Sequence, residues 1–228
     1  MKQLDARLTA VAALVREGSR VADIGTDHAL LPVWLVRTGR CPAAVASDIR
    51  QGPAAAARRQ VEKAALSDRI SVRVGDGLAP LAPGEAEDIV IAGMGGETVA
   101  EILAAAPWVR NKAYHLVLQP MSKPEKLRQF LWENGFSILS EQIVPEGDRL
   151  YSVMSVAFTG EILTPSSGDC FLGRIPRTDE GAGYLKKQRG RILERLQGLE
   201  NRENAEDERM ELQQALAQID AWLTRDNT

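Results

Sequence analysis

Between residues 1 and 160, short runs rich in β-branched residues alternate with alanine-rich stretches of helical spacing, and this alternation narrows the fold more than any other feature. Strands separated by covering helices pack as a parallel sheet with helices on its faces. Strands are predicted at 20–24, 44–47, 70–74, 88–92 and 114–118, and two more at 137–144 and 151–158 read as a hairpin around Glu146-Gly147-Asp148. Helical spacing covers 30–38, 53–65, 96–105 and 124–134, with Pro53 and Pro124 suited to a first turn and Gly135 to a helix stop. Five strands with intervening helices and a closing hairpin predict a seven-stranded α/β sheet rather than a six-stranded dinucleotide fold.

From 164 to 183 the chain turns rich in Pro, Gly, Ser and Asp, which predicts a boundary or a long connection. Beyond it, Leu185, Ile192, Leu196 and Leu199, then Leu212, Leu216, Ile219 and Leu223, recur at steps that mark two amphipathic helices forming an antiparallel hairpin. The expected division is therefore a main domain over 1–160 and a linker with a helical hairpin over 161–228, as suits 228 residues.

Composition removes several function classes. The apolar run at 8–15 is too short to cross a bilayer and no cleavage site follows it, so a cytoplasmic protein without a membrane partner is expected. Cys41 and Cys170 lie far apart and share no ligand spacing with His28 or His115, so neither a disulfide nor a metal site is expected. A net charge of -3 and a pI near 5.6 argue against generic affinity for nucleic acid, leaving only local basic patches for such contacts.

Chemistry gathers at the strand ends, where α/β sheets bind ligands. The first strand runs into Asp23-Ile24-Gly25-Thr26-Asp27-His28, and Gly25 lets the backbone turn tightly against a cofactor. The next strand ends at Asp48, followed by Ile49, and a carboxylate there suits both hydroxyls of a ribose. The third ends in Gly75-Asp76-Gly77, where Asp76 can reach an adenine amino group or simply serve as a turn residue. Acid at Asp23 and Asp27, without a glycine-rich cradle, disfavours pyrophosphate and hence a nicotinamide dinucleotide. The fourth strand enters Gly93-Met94-Gly95-Gly96, which leaves room for a planar group or for close packing of helix on strand. Together these points favour an adenosyl-type cofactor.

The combination of Ala22-Asp23-Ile24-Gly25-Thr26-Asp27-His28-Ala29, Gly75-Asp76-Gly77-Leu78, Ile91-Ala92-Gly93-Met94-Gly95-Gly96 and Leu118-Gln119-Pro120 resembles the bacterial tRNA (adenine-22-N1)-methyltransferase family. The resemblance implies a Rossmann-like methyltransferase sheet with a C-terminal coiled-coil hairpin, S-adenosyl-L-methionine as cofactor and tRNA as partner. It puts Asp23, Gly25, Asp48, Ile49, Gly75, Asp76, Gly77 and Gly93 around the cofactor and Met94, Gly95, Gln119 and Pro120 around the acceptor. The chain departs from the family pattern at Met121, where an Asn is usual, and Met121 loses an amide that could bind a base or the cofactor.

Asp27 is the candidate catalytic residue, a carboxylate to offset charge on the methylated ring, with helix capping as its alternative role. His28 could orient the base or be structural. Lys186, Lys187 and Arg189, with Arg191 and Arg195, make the first hairpin helix basic enough to contact RNA, although a solvated face is the usual meaning of such a run. Glu203, Glu206, Asp207, Glu208 and Glu211 are expected at the hairpin turn and the start of its second helix, away from RNA. A monomer or weak dimer is expected. The competing readings are a methyltransferase for another acceptor and a silent cofactor-binding domain that uses its hairpin to bind partners.

Overall fold

The structure, a computed structural model, describes residues 3–200, 202 and 204–224; Glu203 of the predicted acidic turn lies outside the described residues. Its seven strands are β1 (Val21–Ile24), β2 (Ala44–Asp48), β3 (Ile70–Val74), β4 (Asp88–Gly95), β5 (His115–Ser122), β6 (Phe136–Glu146) and β7 (Arg149–Phe158). They form one sheet in the order β3-β2-β1-β4-β5-β7-β6. The first five are parallel, and β7 enters antiparallel between β5 and β6. The order reverses between β1 and β4, which opens a crevice at the carboxyl ends of the strands.

Residue alternation decides which face each side chain takes. Ile89, Ile91, Leu116 and Leu118 join Val99, Leu103, Leu127 and Leu131 of α4 (Gly96–Ala104) and α5 (Pro124–Glu133) in one core layer. Val90 and Val117 point the other way, toward α1 (Ala6–Leu14), α2 (Leu30–Arg37) and α3 (Gln51–Lys63). The apolar run at 8–15 is thus largely α1, a helix capped by the Asp5 side chain, which accepts from Leu8 N at 2.7 Å. At the opposite end of the sheet from the crevice, buried Asp88 accepts from Arg16 Nε at 2.7 Å and meets His115 Nδ1 at 3.2 Å, so His115 ties strands together.

The connection expected over 164–183 is more structured than its composition suggests. Ser166 and Asp169 close a capping box that starts α6 (Ser167–Leu172), and Thr178 caps α7 (Asp179–Leu199). The Ser, Asp and Thr that read as loop formers are acting as helix caps. Helix α7 pairs with α8 (Glu206–Thr224) through Ile192, Leu199, Leu212, Ala215 and Ile219. Ion pairs Arg189–Asp220 and Arg195–Glu208, both at 2.6 Å, confirm the antiparallel register: as one position advances along α7, its partner recedes along α8.

The hairpin is bolted to the sheet edge. Ile143 of β6 and Leu150 of β7 belong to its apolar cluster. Arg128 of α5, fully buried, donates to Glu141 Oε1 of β6 at 2.6 Å and to the carbonyls of Cys170 and Phe171 at 2.7 and 3.2 Å. Glu141 also accepts from Ser152 and from the backbone of Arg174.

Candidate active site

The crevice at the strand ends holds a cavity of about 830 Å³ whose lining includes Gly25, Asp48, Ile49, Gly75, Asp76, Gly77, Gly93 and Met94. Each comes from a strand end or the residues directly after it. Gly25 has φ +77°, in the left-handed region that favours glycine, and a Cβ on it would push aside the end of the Met94 side chain where β1 turns toward β4. The backbone amides of Gly25 and Thr26 both donate to Ser47 O at 2.8 Å, fixing that turn against β2.

Asp48 is 5% exposed, and its Oδ1 accepts from Arg50 N at 2.8 Å, while Oδ2 has no hydrogen bond among the described residues. It is a preorganised acceptor for hydroxyl donors. Asp76 is exposed and its carboxylate bonds to nothing in its own loop, which is not how a turn-stabilising Asp behaves. Asp23 lies beneath the cavity rather than on its lining. Burial pushes its carboxyl up to about 6, opposed by a hydrogen bond from Thr26 and the charge of Arg7, with Asp48 adding to the rise.

The acceptor side is organised by Gln119, whose amide is used up inside the protein. Its Oε1 accepts from Gly93 N at 3.1 Å and from Arg7 Nη1 at 2.8 Å, and its Nε2 donates to Pro120 O at 2.9 Å. Gln119 therefore holds the ends of β4 and β5 and helix α1 together. Gly95 is the residue before α4, with Gly96 packed so closely on the Lys123 carbonyl that a Cβ there would collide.

Asp27 is exposed, outside the cavity lining, and its Oδ2 lies 3.4 Å from His28 Nε2. It does not cap α2: the cap residue is Ala29, in the left-handed region at φ 51° with no side-chain bond to the helix. His28 opens on a separate cleft with Arg59 and Lys63. Lys186 and Lys187 are exposed on α7, with Lys187 Nζ donating to Asp148 O, whereas Arg189 is already paired with Asp220. The strand-end candidates are thus brought together, and the hairpin candidates stand apart from them.

Sequence reading missed the apolar wall of the cavity: Leu78, Leu81, Ile102 and Trp108, the last from a single 3-10 turn at Pro107–Val109. The spacing of Thr98 and Ile102 on one face of α4, continued by its C-cap Ala105, was the available signal. Arg7 and Arg16, read from the sequence as candidate additions to a basic patch, are instead committed within the protein, to Gln119 at 2.8 Å and to Asp88 at 2.7 Å.

A cavity of this size with apolar walls and a few placed acceptors suits an adenosyl group: Asp48 offers a free acceptor, Asp76 an exposed one, and the glycines leave room against backbone. Among the described residues no cluster of three or more His, Cys, Asp or Glu could hold a metal ion, and no helix is long and apolar enough to cross a membrane.

Residues 4–154 match the family described as "Methyltransferase domain", so sheet and site together define an S-adenosylmethionine-dependent methyltransferase of the Rossmann-like class. The tRNA (adenine(22)-N(1))-methyltransferase of Bacillus subtilis (strain 168) is 36% identical over 192 residues, 81% of this chain and 79% of the relative. The crystal structure of the B. subtilis tRNA methyltransferase TrmK superposes with a TM-score of 0.86 at 29% identity, covering 97% of this chain and 99% of the other. A Streptococcus pneumoniae putative tRNA methyltransferase, solved in complex with S-adenosyl-L-methionine, gives a TM-score of 0.82 at 29% identity over 97% and 100% of the two chains. The chain belongs to the tRNA (adenine(22)-N(1))-methyltransferase family.

Proposed function

We propose that the protein transfers the methyl group of S-adenosylmethionine to N1 of adenine 22 in tRNA, and that it does so in the cytoplasm. The observation that carries this reading is the meeting of three strand ends on one cavity, with Gly25, Asp48 and Asp76 on its lining. The acceptor follows from the activity of the B. subtilis relative.

In this reading Asp48 accepts from the ribose hydroxyls and Asp76 from the adenine amino group. Gly25, Gly75, Gly77 and Gly93 keep the backbone close to the ligand, Ile49 packs on it, and Asp23 contributes negative charge from below. Bound S-adenosylmethionine supplies an electrophilic methyl group on a sulfonium. Adenine N1 already has a lone pair, so no base is required before attack, but the ring gains positive charge as the bond forms. Asp27 answers that charge. Its carboxylate is exposed and, among the described residues, ion-pairs with His28 alone, so it is available to accept from the exocyclic amino group of the acceptor.

N1 lies on the pairing edge of adenine, so the base must leave its stack to react. Met94, Gly95 and Pro120 wall the place it enters, and Gln119 acts indirectly by fixing Gly93 and Pro120. Lys186 and Lys187 contact RNA, with Arg189 contributing less because Asp220 neutralises it.

The test is incubation of purified protein with labelled S-adenosylmethionine and unmodified tRNA beside Asp27→Ala, with nuclease digestion and mass spectrometry of the product. N1-methyladenosine at position 22 with the wild type, falling by roughly 100-fold in the variant at unchanged cofactor affinity, is the expected result. Near-full turnover by Asp27→Ala would remove its assigned role, and methylation elsewhere would remove the assigned acceptor.

A further inference from the structure

Beside the acceptor side of the site lies a second cleft of about 310 Å³, between the β6–β7 turn and α7. Its floor is Pro120 and Met121, the residues directly after Gln119, and its walls carry Arg149, Lys187, Arg191 and Tyr184. We propose that this cleft takes a sugar–phosphate segment of the RNA strand adjoining the base to be methylated, an inference that rests on the function proposed above.

The charges on α7 divide by face. Arg189 and Arg195 are each paired with a carboxylate of α8. Lys187 and Arg191, four residues apart and so on one face of the helix, turn to the cleft instead. Among the described residues Arg191 has no ion pair and Arg149 makes a single side-chain contact, 3.4 Å from the Tyr151 hydroxyl. The sole carboxylate on the lining is that of exposed Asp148, whose backbone carbonyl anchors Lys187. Three cations against one carboxylate leave an excess of positive charge that an anion would relieve.

Tyr184 also lines the cleft, with its hydroxyl enclosed in the interior beside Arg128 and Gln188. The cleft is thus cationic at its walls and adjoins the strand end that positions the acceptor. A sugar–phosphate unit answers both.

The experiment compares wild type, R149A/R191A, and R37A as a control for charge loss on a remote helix. Binding of an unmodified tRNA transcript is measured over a range of salt, with calorimetric affinity for S-adenosylmethionine as the check on folding. The double variant should bind tRNA about tenfold more weakly or worse, and the slope of log affinity against log salt should shrink by roughly 1.5, as for two lost phosphate contacts. R37A should change neither, and cofactor affinity should be the same in all three proteins. Unchanged tRNA affinity and salt slope in R149A/R191A, or a loss no larger than that of R37A, would overturn the proposal. Turnover of the wild type on the same transcript separates this from the proposed function. Binding that depends on the two arginines without methylation removes the function and keeps the cleft, whereas methylation with arginine-independent binding does the reverse; a wild type that binds no tRNA removes both.

Discussion

Asp23→Asn should stabilise the free protein while weakening its hold on the cofactor. The carboxyl of Asp23 ionises at about 6 in the folded chain against an ordinary value of 3.8, chiefly because it is buried. A group raised in this way contributes stability below its unfolded value, and that contribution is lost as pH rises through the folded one. Two pH units correspond to about 3 kcal/mol, so near pH 7.5 the folded state carries roughly that cost for a buried charge. Asparagine removes the charge and stands in for the neutral acid, and because the value of about 6 already includes the hydrogen bond from Thr26 the net gain is about 3 kcal/mol. Urea denaturation of both proteins from pH 4 to 8 reads this directly: the two should converge near pH 4 and diverge up to about pH 6.5 in favour of the variant. A stability difference that does not change across this range would refute the argument. The negative charge is kept because the ligand is cationic, so calorimetry at pH 7.5 should show S-adenosylmethionine bound about tenfold or more weakly by the variant.

Asp48→Asn replaces the free carboxylate oxygen with a group of weaker acceptor power, and should raise the dissociation constant for S-adenosylmethionine by about tenfold or more with the fold intact; unchanged binding by calorimetry would take Asp48 out of the site. Glu141→Gln strands the Arg128 guanidinium without a counter-charge in a fully buried position and should cost about 3 kcal/mol or more, read by urea denaturation at pH 7; a loss below about 1 kcal/mol would show that the pair does not hold the hairpin.

The sheet was legible because its strands are short β-branched runs bounded by punctuation, and β3 falls where its pattern begins and ends. The ends of β4 and β5 overran expectation. Gly93-Met94-Gly95 has no strand propensity of its own, yet Met94 and Gly95 pair with Pro120 and Ser122 across register shifts, a tertiary pairing that no local pattern announces. The cofactor side of the site could be read from glycines and carboxylates at strand ends, since one strand end supplies each. Its apolar wall left only the helical spacing of Thr98 and Ile102 as a signal, because Ile102 and Trp108 look like any core residues until the loop after β3 is folded against them. The same limit applied to Gln119, whose amide suggested an acceptor contact and is instead committed to Gly93, Arg7 and Pro120. The seam of the hairpin was visible in its leucine spacing, but the ion pairs that neutralise Arg189 and Arg195 depend on the register between α7 and α8.

The buried contact of Arg128 with Glu141 and with the carbonyls of α6 has a mechanical meaning. It ties the segment that leads into the helical arm to β6 and α5, so the arm starts from a point fixed on the edge of the sheet. Helix α7, with 21 residues, is about 30 Å long, so the arm carries a fixed span outward from that point. Under the function proposed above, an RNA that touched both the arm and the crevice would have to match that span or bend to it, a constraint set when the protein folds.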